Sequence, residues 1–357
     1  MSGINRLKFD LNTLANEMLD ALDPVLFESK KTTFLDPAMG GGQFLKAIED
    51  RLRSYGHSDK NIAKRVTGYA ENYLDIGWTR RYRGVVSHIE VKNIDEIEDM
   101  KFDVVLTNPP YQAPAGGEKD DKNAQGSFWW RFAEKVMGMS ETVAMVTPTS
   151  VFSTGGFGTA ANKVTSIRNR GFEFTDIWDN VNDHFDVSIN ISAFIIKKTN
   201  KTKCDLVNQN ESVELCSDKP IPFTPNRITI NIVNKCFTGK NWKFTEVDKS
   251  CPKDLVVKIN GGRFKKYDKL FVGVSSKAPH KAQTLVIPKK NSKVAKTVFK
   301  SKLFDFIFKS LGGESGQSST GILQSLPKVD LNRGWTDAQL YKHFKLTKEE
   351  VALVEAQ

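Results

Sequence analysis

The stretch from Asn108 to Tyr111 contains the residue types needed to grip a planar amino group. It reads Asn-Pro-Pro-Tyr and follows the apolar run 102–106. Asn108 offers a side-chain carbonyl, while Pro109 and Pro110 have a fixed φ and no backbone N–H, which leaves main-chain carbonyls free to accept hydrogen bonds. The Tyr111 ring supplies a stacking face. The stretch therefore predicts a site that strips an amine of solvent and aims it at an electrophile. The amine of adenine, cytosine or glutamine would fit.

A glycine-rich turn precedes this site in the chain and has the form of a ligand-binding loop. Residues 32–55 read as a short buried strand, a tight turn and a helix, which together open a Rossmann-like βαβ unit. Gly40 and Gly42 allow a ligand to approach the backbone closely. The third glycine of a dinucleotide loop is missing, and Asp36 at the strand end can hold an ammonium group. The turn therefore favours a ligand with a cationic amino acid part.

Two acidic residues follow the next strands and extend this ligand site. Glu71 comes directly after the expected strand 66–70, where a carboxylate can accept both hydroxyls of a ribose. Asp95 follows the expected strand 85–91, where it could accept the amino group of an adenine. The sequence therefore predicts a bound nucleoside with a cationic amino acid part.

Strands and helices alternate through the first 200 residues. Helices are expected at 14–22, 127–138 and 159–170, and further strands at 142–148, 174–178 and 187–196. Such alternation predicts an α/β fold with a mostly parallel sheet that is covered on both faces and ends in one or two antiparallel strands.

Length and composition limit the class of protein. A chain of 357 residues with 39% apolar content can form one large domain and a smaller one. No apolar run reaches the roughly 18 residues of a membrane span, and the N-terminus lacks an apolar signal core, so we expect no membrane partner and a cytoplasmic location. No Cys lies in residues 1–203, which argues against the cysteine nucleophile that a cytosine C5 transferase requires.

The positive charge lies in the second half of the chain. Residues 201–357 contain 28 Lys and Arg against 15 Asp and Glu, a net charge of +13. The whole chain carries +10, because residues 1–200 carry a net charge of −3. This bias points to a polyanion, and specifically to nucleic acid. Strands expected at 227–233 and 255–259 predict an α+β recognition domain. Gln317, in the Gly-Ser-rich segment 312–321, is a hypothetical contact to base edges.

The order of these motifs resembles that of the gamma-class, NPPY-type adenine-specific DNA methyltransferases of restriction-modification systems and phages. The similarity covers residues 1 to about 200 and includes the tail segments 326–328, 335–341 and 346–350. The motifs that carry it are Asp36-Pro37-Ala38 with Gly40 and Gly42, Glu71, Asn108-Pro109-Pro110-Tyr111, Thr147-Pro148 and His184-Phe185-Asp186-Val187-Ser188.

The resemblance implies a Rossmann-like class I methyltransferase domain over residues 1–200, a smaller α+β basic DNA-recognition domain over residues 201–357, and S-adenosyl-L-methionine as cofactor. In the cofactor site, Asp36 would bind the methionine amino group, Glu71 the ribose and Asp95 the adenine. The remaining contacts to the cofactor would come from Ala38, Gly40, Gly42 and Asn108.

The resemblance also implies the roles of the target site. Asn108 and the Pro109 carbonyl would accept hydrogen bonds from the target amine, next to Pro110. Tyr111 would stack on one face of the target base and Phe185 on the other. The chemistry calls for no metal ion.

The expected function is transfer of a methyl group to N6 of an adenine that is flipped out of double-stranded DNA at a specific site. We expect a monomer, with a separate restriction endonuclease as a further candidate partner. Three alternatives stay open, namely an RNA adenine-N6 methyltransferase, a protein-glutamine N5 methyltransferase and a nucleic-acid-binding module with an inactive cofactor site. Phe185 and the basic second half argue against glutamine as the target, and intact Asp36, Glu71 and Asn108 argue against an inactive site.

Overall fold

The chain folds into two compact units. The computed structural model describes residues 11–97, 100–112, 128–152, 163–185, 187–216, 218–237, 255–258, 271–274, 284–287, 289–312 and 326–357. The first unit comprises Met1–Thr149 and Arg170–Asn210, and the second comprises Ser150–Asn169 and Glu211–Gln357. The division of roles between residues 1–200 and 201–357 stays a prediction.

The first unit alternates helices with strands, as expected. Its helices are α1 Leu11–Asp20, α2 Val25–Glu28, α3 Gln43–Ser54, α4 Asp59–Ile62, α5 Tyr73–Arg83 and α6 Phe128–Met139. Its strands are β1 Phe34–Asp36, β2 Val66–Ala70, β3 His88–Val91, β4 Phe102–Thr107, β5 Ser140–Pro148, β6 Phe172–Trp178, β7 Ile191–Lys198 and β8 Lys203–Leu206. No helix among the described residues is long and apolar enough to cross a membrane.

The strands of the first unit lie in the order β3-β2-β1-β4-β5-β7-β6-β8. Strand β7 runs antiparallel to both of its neighbours, β5 and β6, and the other neighbouring pairs are parallel. The predicted α/β fold with a mostly parallel sheet is confirmed. Because the carboxyl ends of parallel neighbours meet at one edge, the residues that follow β3, β2, β1 and β4 form a row.

The core of the first unit lies between this sheet and the amphipathic helices. Helix α3 buries Phe44, Leu45, Ile48 and Leu52, which recur at helical spacing, and α1 buries Leu14, Met18 and Leu19. Each such side chain contributes about 1.5 to 3 kcal/mol when it is removed from water. Burial of these faces fixes the helices on the sheet and so positions the turns at its edge.

The prediction of a strand over 187–196 was wrong at its start. Strand β7 begins at Ile191. The Asn182 side chain accepts a hydrogen bond from the Ile191 backbone N–H and donates one to the Ile189 carbonyl, both at 2.8 Å. These two bonds tie the backbone of Ile189 and Ile191 to the Asn182 side chain, so the residues before Ile191 form a loop rather than an extension of the strand.

The second unit combines helices with a small antiparallel sheet. Its helices are α7 Lys163–Asn169, α8 Arg227–Cys236, α9 Ser292–Phe299, α10 Lys302–Ser310, α11 Asp337–His343 and α12 Lys348–Glu355. Its strands are β9 Glu211–Glu214, β10 Leu255–Lys258, β11 Phe271–Val274 and β12 Thr284–Ile287. Strand β10 lies between β11 and β12 and is antiparallel to both. Helices α8 to α12 contribute side chains to one apolar core.

The prediction of a strand over 227–233 was wrong, because this segment is part of helix α8. Ile228, Ile230 and Ile232 alternate with polar residues as they would in a half-buried strand. Asn226 nevertheless caps a helix, since its side chain accepts a hydrogen bond from the Thr229 backbone N–H at 2.9 Å. Packing of one helical face in the core outweighed the local alternation. The candidate base contact Gln317 lies outside the described residues.

Candidate active site

Asp36 and Thr107 join the glycine turn to the strand that precedes Asn108. They end the neighbouring parallel strands β1 and β4, and both side chains are fully buried. The Thr107 hydroxyl donates a hydrogen bond to Asp36 Oδ1 at 2.9 Å, and the Ala38 backbone N–H donates to the same oxygen at 3.1 Å. One carboxylate therefore fixes the start of the turn and the start of the Asn-Pro-Pro-Tyr motif relative to each other.

The second oxygen of Asp36 fits a cationic ligand. Asp36 Oδ2 is buried and has no hydrogen-bond partner among the described residues. Burial raises the pKa of Asp36 to about 7, against the opposing effect of the hydrogen bonds from Ala38 and Thr107. A buried carboxylate with an unsatisfied oxygen is costly unless a partner neutralises it. The ammonium of an amino acid would do so, and the contact of Asp36 to the methionine part of S-adenosylmethionine stays a prediction.

The glycine turn needs glycine at Gly40 and Gly42 for its backbone. Their φ angles are +46° and +73°, in the left-handed region. At Gly42 a Cβ atom would also lie 2.4 Å from Thr79 Cγ2, so a larger residue cannot fit without a shift. Hydrogen bonds from the Met39 N–H to the Tyr69 carbonyl, at 3.0 Å, and from the Gly42 N–H to the Met39 carbonyl, at 2.7 Å, hold the turn in place.

Helix α5 supports the turn through two residues that sequence reasoning missed. Thr79 is fully buried against Gly42, and the Arg83 Nε donates a hydrogen bond to the Gly41 carbonyl at 2.5 Å. Burial lowers the pKa of Arg83. The helical spacing of Thr79 and Arg83, four residues apart, places both on the face that meets the turn and was the signal that could have found them.

Glu71 and Asp95 complete the row at the carboxyl edge of the sheet. Glu71 directly follows β2 and is exposed. Asp95 follows β3 in a short 3-10 helix, where its carboxylate pairs with Arg131 of α6 at 3.0 Å. The row thus runs Asp95, Glu71, Asp36 and Asn108 across four neighbouring strands, which are about 4.8 Å apart. The strand order thus places the four residues in one row, with Arg131 paired to Asp95, and their contacts to a ligand stay a prediction.

The Asn-Pro-Pro-Tyr motif is closed by an internal hydrogen bond. The Tyr111 hydroxyl donates to Asn108 Oδ1 at 2.9 Å. Asn108, Pro110 and Tyr111 are half-buried and Pro109 is buried. Burial raises the pKa of Tyr111 above its usual value, so the phenol keeps its proton and remains a donor.

Phe185 belongs to the same core region as Tyr111 and is held by Asn182. Both aromatic residues are partly buried and pack against one apolar cluster. The Phe185 backbone N–H donates to the Asn182 carbonyl at 2.8 Å, while the Asn182 side chain binds the backbone of Ile189 and Ile191. Asn182 therefore closes the loop that carries Phe185. Sequence reasoning missed it, although it lies only three residues before Phe185.

The strand order, the reversed β7 and the glycine turn after β1 define a Rossmann-like methyltransferase fold. Residues 43–185 match the model of the family described as Eco57I restriction-modification methylase. This match agrees with the resemblance predicted from the motif order, and supports S-adenosylmethionine as the cofactor of the fold. No curated protein sequence matches the chain.

Several solved structures are similar to this chain. They include the type I restriction-modification methyltransferase subunit from Streptococcus thermophilus, with 19% identity, a TM-score of 0.38, and 55% of this chain and 46% of that chain covered. The type I restriction enzyme EcoKI M protein is 14% identical, with a TM-score of 0.41, and the match covers 56% of this chain and 45% of that chain. The type IIG restriction endonuclease BpuSI is 14% identical, with a TM-score of 0.39, and the match covers 54% of this chain and 25% of that chain. This chain spans less than half the length of each.

Proposed function

We propose that the protein is a site-specific DNA methyltransferase that transfers a methyl group from S-adenosylmethionine to N6 of an adenine flipped out of double-stranded DNA. The observation that carries the proposal is the hydrogen bond between Thr107 and Asp36. It couples a buried carboxylate suited to an ammonium with the strand that delivers Asn108. The match of residues 43–185 to restriction-modification methylases supports DNA as the substrate.

Asn108 and Pro109 would prepare the nucleophile. The exocyclic amine of adenine is a poor nucleophile because its lone pair is conjugated with the ring. The N–H groups of the amine would donate hydrogen bonds to Asn108 Oδ1 and to the Pro109 carbonyl. These bonds would polarise the amine and direct its lone pair at the methyl group. The cofactor, when bound, supplies an electrophilic methyl on a sulfonium. Because Asn108 Oδ1 already accepts from Tyr111, the target amine must share or replace that hydrogen bond.

Tyr111 and Phe185 would hold the target base outside the duplex. Flipping a base costs a few kcal/mol in lost pairing and stacking. A stack on one aromatic face restores roughly 1 to 3 kcal/mol. The two rings together are therefore sufficient to offset the cost.

The four residues of the edge row would divide the cofactor among them. Asp36 Oδ2 would accept from the methionine ammonium, Glu71 from the ribose hydroxyls, and Asp95 from the adenine amino group while Arg131 holds its carboxylate. Gly40 and Gly42 leave room for the ligand beside Ala38. This division follows the strand order in which the residues lie.

Labelled methyl transfer from S-adenosylmethionine, measured on duplex DNA, RNA and protein side by side, tests the proposal. We expect label in DNA, at N6 of adenine, and none in RNA or protein. Unlabelled DNA with a protein that binds the cofactor would contradict the proposal. Sequencing of modified bases in DNA from cells that express the protein would give the recognition site. Sedimentation of the purified protein would test the proposed monomer, and co-purification from its host would test for a separate restriction endonuclease.

A further inference from the structure

We propose that one face of helix α9 binds backbone phosphates of duplex DNA. The face consists of Lys293 and Lys296 of α9, with Lys290 just before the helix and Lys300 just after it, and is named the α9 lysine face. All four side chains are exposed. The inference rests on the proposed function, since that function makes duplex DNA the substrate, and it identifies where the second unit would bind it.

The charge of the α9 lysine face is not neutralised by ion pairs with described residues, whereas four other basic groups of the same unit are paired. Ion pairs join Lys235 to Glu350 at 2.7 Å, Lys309 to Asp305 at 3.1 Å, Arg227 to Glu211 at 3.0 Å, and Lys302 to Glu355. Within the described part of the chain, the four lysines of the face have no ion pair. Residues 289–300 contain five lysines and no acidic residue. Residues 289–300 therefore carry a net charge of +5, and no ion pair among the described side chains neutralises the four lysines of the face.

The spacing of the lysines suits a polyanion. Lys293, Lys296 and Lys300 follow at intervals of three and four residues, so they share one side of the helix. With a rise of 1.5 Å per residue, the stretch from Lys293 to Lys300 extends over roughly 10 Å. Duplex DNA carries one phosphate charge per about 1.7 Å of its axis, or about six over this distance. Several lysines can thus contact phosphates at once.

The opposite side of α9 holds this face rigidly. Ala295, Val298 and Phe299 are buried in the core of the second unit, and the Phe299 ring meets the Phe304 ring edge-on with centroids 5.6 Å apart. Asn291 donates a hydrogen bond to the Leu331 carbonyl at 2.8 Å just before the helix begins. A face that is ordered before binding loses little backbone entropy on contact with DNA.

A pocket beside the face gives room for the sugar-phosphate backbone. It measures about 470 Å³ and its lining includes Lys296, Lys300, Thr297 and Thr336. The acidic residue in the lining, Asp337, already accepts a hydrogen bond from the Lys302 backbone N–H at 2.9 Å. These contacts would give affinity and orientation without sequence information, because phosphates are the same at every base pair.

The test compares two triple variants of the full-length protein. The first carries Lys293→Gln, Lys296→Gln and Lys300→Gln. The control carries Lys342→Gln, Lys345→Gln and Lys348→Gln, which removes the same charge from residues 337–350, where three lysines stand beside three acidic residues. Duplex DNA binding is measured over a series of salt concentrations. Thermal melting and cofactor binding verify that each variant is folded.

For the α9 variant we expect at least a tenfold weaker affinity for duplex DNA at low salt. The dependence of log affinity on log salt concentration should become shallower by roughly 2 to 3, because each of three lost phosphate contacts contributes about 0.9 to that slope. The control should change both quantities by much less, and its methyl transfer at saturating DNA should stay within about twofold of the wild type. The inference would be overturned if the α9 variant bound duplex DNA as tightly as the wild type, or if both variants lost the same amount of DNA affinity. If the wild type methylates DNA but its salt slope does not depend on α9, only this inference fails. If the wild type binds and methylates RNA but not duplex DNA, the proposed function fails as well.

Discussion

The hydroxyl of Tyr111 donates a hydrogen bond to Asn108 Oδ1 at 2.9 Å, so the tyrosine holds the atom to which we assign the target amine. This bond orients the amide oxygen toward the Tyr111 hydroxyl before a substrate arrives. It also occupies the acceptor that the substrate needs. Tyr111 therefore has two separable contributions, its hydroxyl and its ring.

Substitutions of Tyr111 should separate the two. Tyr111→Phe removes one neutral hydrogen bond, worth about 0.5 to 1.5 kcal/mol, and should lower methyl transfer by no more than about tenfold. Tyr111→Ala also removes the stacking face, worth roughly 1 to 3 kcal/mol, and should weaken binding of an extruded base further. Single-turnover rates together with fluorescence of 2-aminopurine at the target position measure both effects. Equal defects in the two variants would show that the ring contributes nothing.

Removal of the Asn108 amide should abolish chemistry and spare binding. Asn108→Ala removes a preorganised acceptor for the target amine, so transfer should fall by about 100-fold to 1000-fold. Affinity for the cofactor and for DNA should change little, because the contacts of Asp36 and the basic second half are retained. Calorimetry, DNA binding and a methyl-transfer assay check this prediction. Undiminished transfer would rule out the role given to Asn108.

The ionisation of Asp36 should couple cofactor affinity to pH. With a pKa of about 7, Asp36 is protonated below neutral pH and cannot pair with an ammonium. Affinity for S-adenosylmethionine should therefore rise with pH up to about 7, by up to tenfold per pH unit well below that value. Asp36→Asn should bind weakly, with little dependence on pH. Titration calorimetry between about pH 5.5 and about pH 7.5 measures this change in affinity.

The same shift sets a stability prediction for the protein without cofactor. A carboxyl whose pKa rises on folding stabilises the folded state at low pH, and this contribution is lost as pH rises from 3.8 through about 7. Asp36→Asn should become more stable than the wild type as pH increases over that window. Denaturant unfolding at several pH values gives the difference, and a difference that does not vary with pH would contradict the assigned pKa.

Loss of the Asn182 side chain should loosen the loop that carries Phe185. Asn182→Ala removes both hydrogen bonds to the backbone of Ile189 and Ile191, so we expect weaker stacking on the flipped base and transfer reduced about tenfold or more. Cofactor affinity should not change. Asn61→Ala is a matched control. Asn61 lies on helix α4 of the first unit, and its side-chain amide likewise donates a hydrogen bond to a backbone carbonyl, that of Lys30. An equal loss of transfer in the control would assign the defect to stability.

Glycine substitutions should distinguish the turn from the helix that supports it. Gly42→Ala forces a Cβ to 2.4 Å from Thr79 Cγ2 at a positive φ, so it should cost about 1 to 3 kcal/mol of folding free energy and weaken cofactor binding. Gly77→Ala, on α5, meets nothing within 4 Å and should stabilise the protein by about 0.5 to 1 kcal/mol. Denaturant unfolding of both variants checks the opposite signs.

Local patterns in the sequence were sufficient for the sheet and the edge motifs. Buried strands before Asp36, Glu71 and Asn108 were predicted because apolar runs end at turn residues, and the structure has β1, β2 and β4 there. The alternation of isoleucines at 228, 230 and 232 was misleading, because it fits a strand as well as one face of a helix. Only packing against a core decides between the two.

The sequence by itself determined the class of fold, the acidic residues that follow the strands and the Asn-Pro-Pro-Tyr motif, since each depends on residues that are adjacent in the chain. The tertiary structure decided which groups act on them. Thr107 reaches Asp36 across 71 positions, Arg83 reaches Gly41 across 42, and Asn182 closes a loop around Phe185. Such contacts join strand ends and helix faces that only the packed sheet brings together, so no local pattern specifies them.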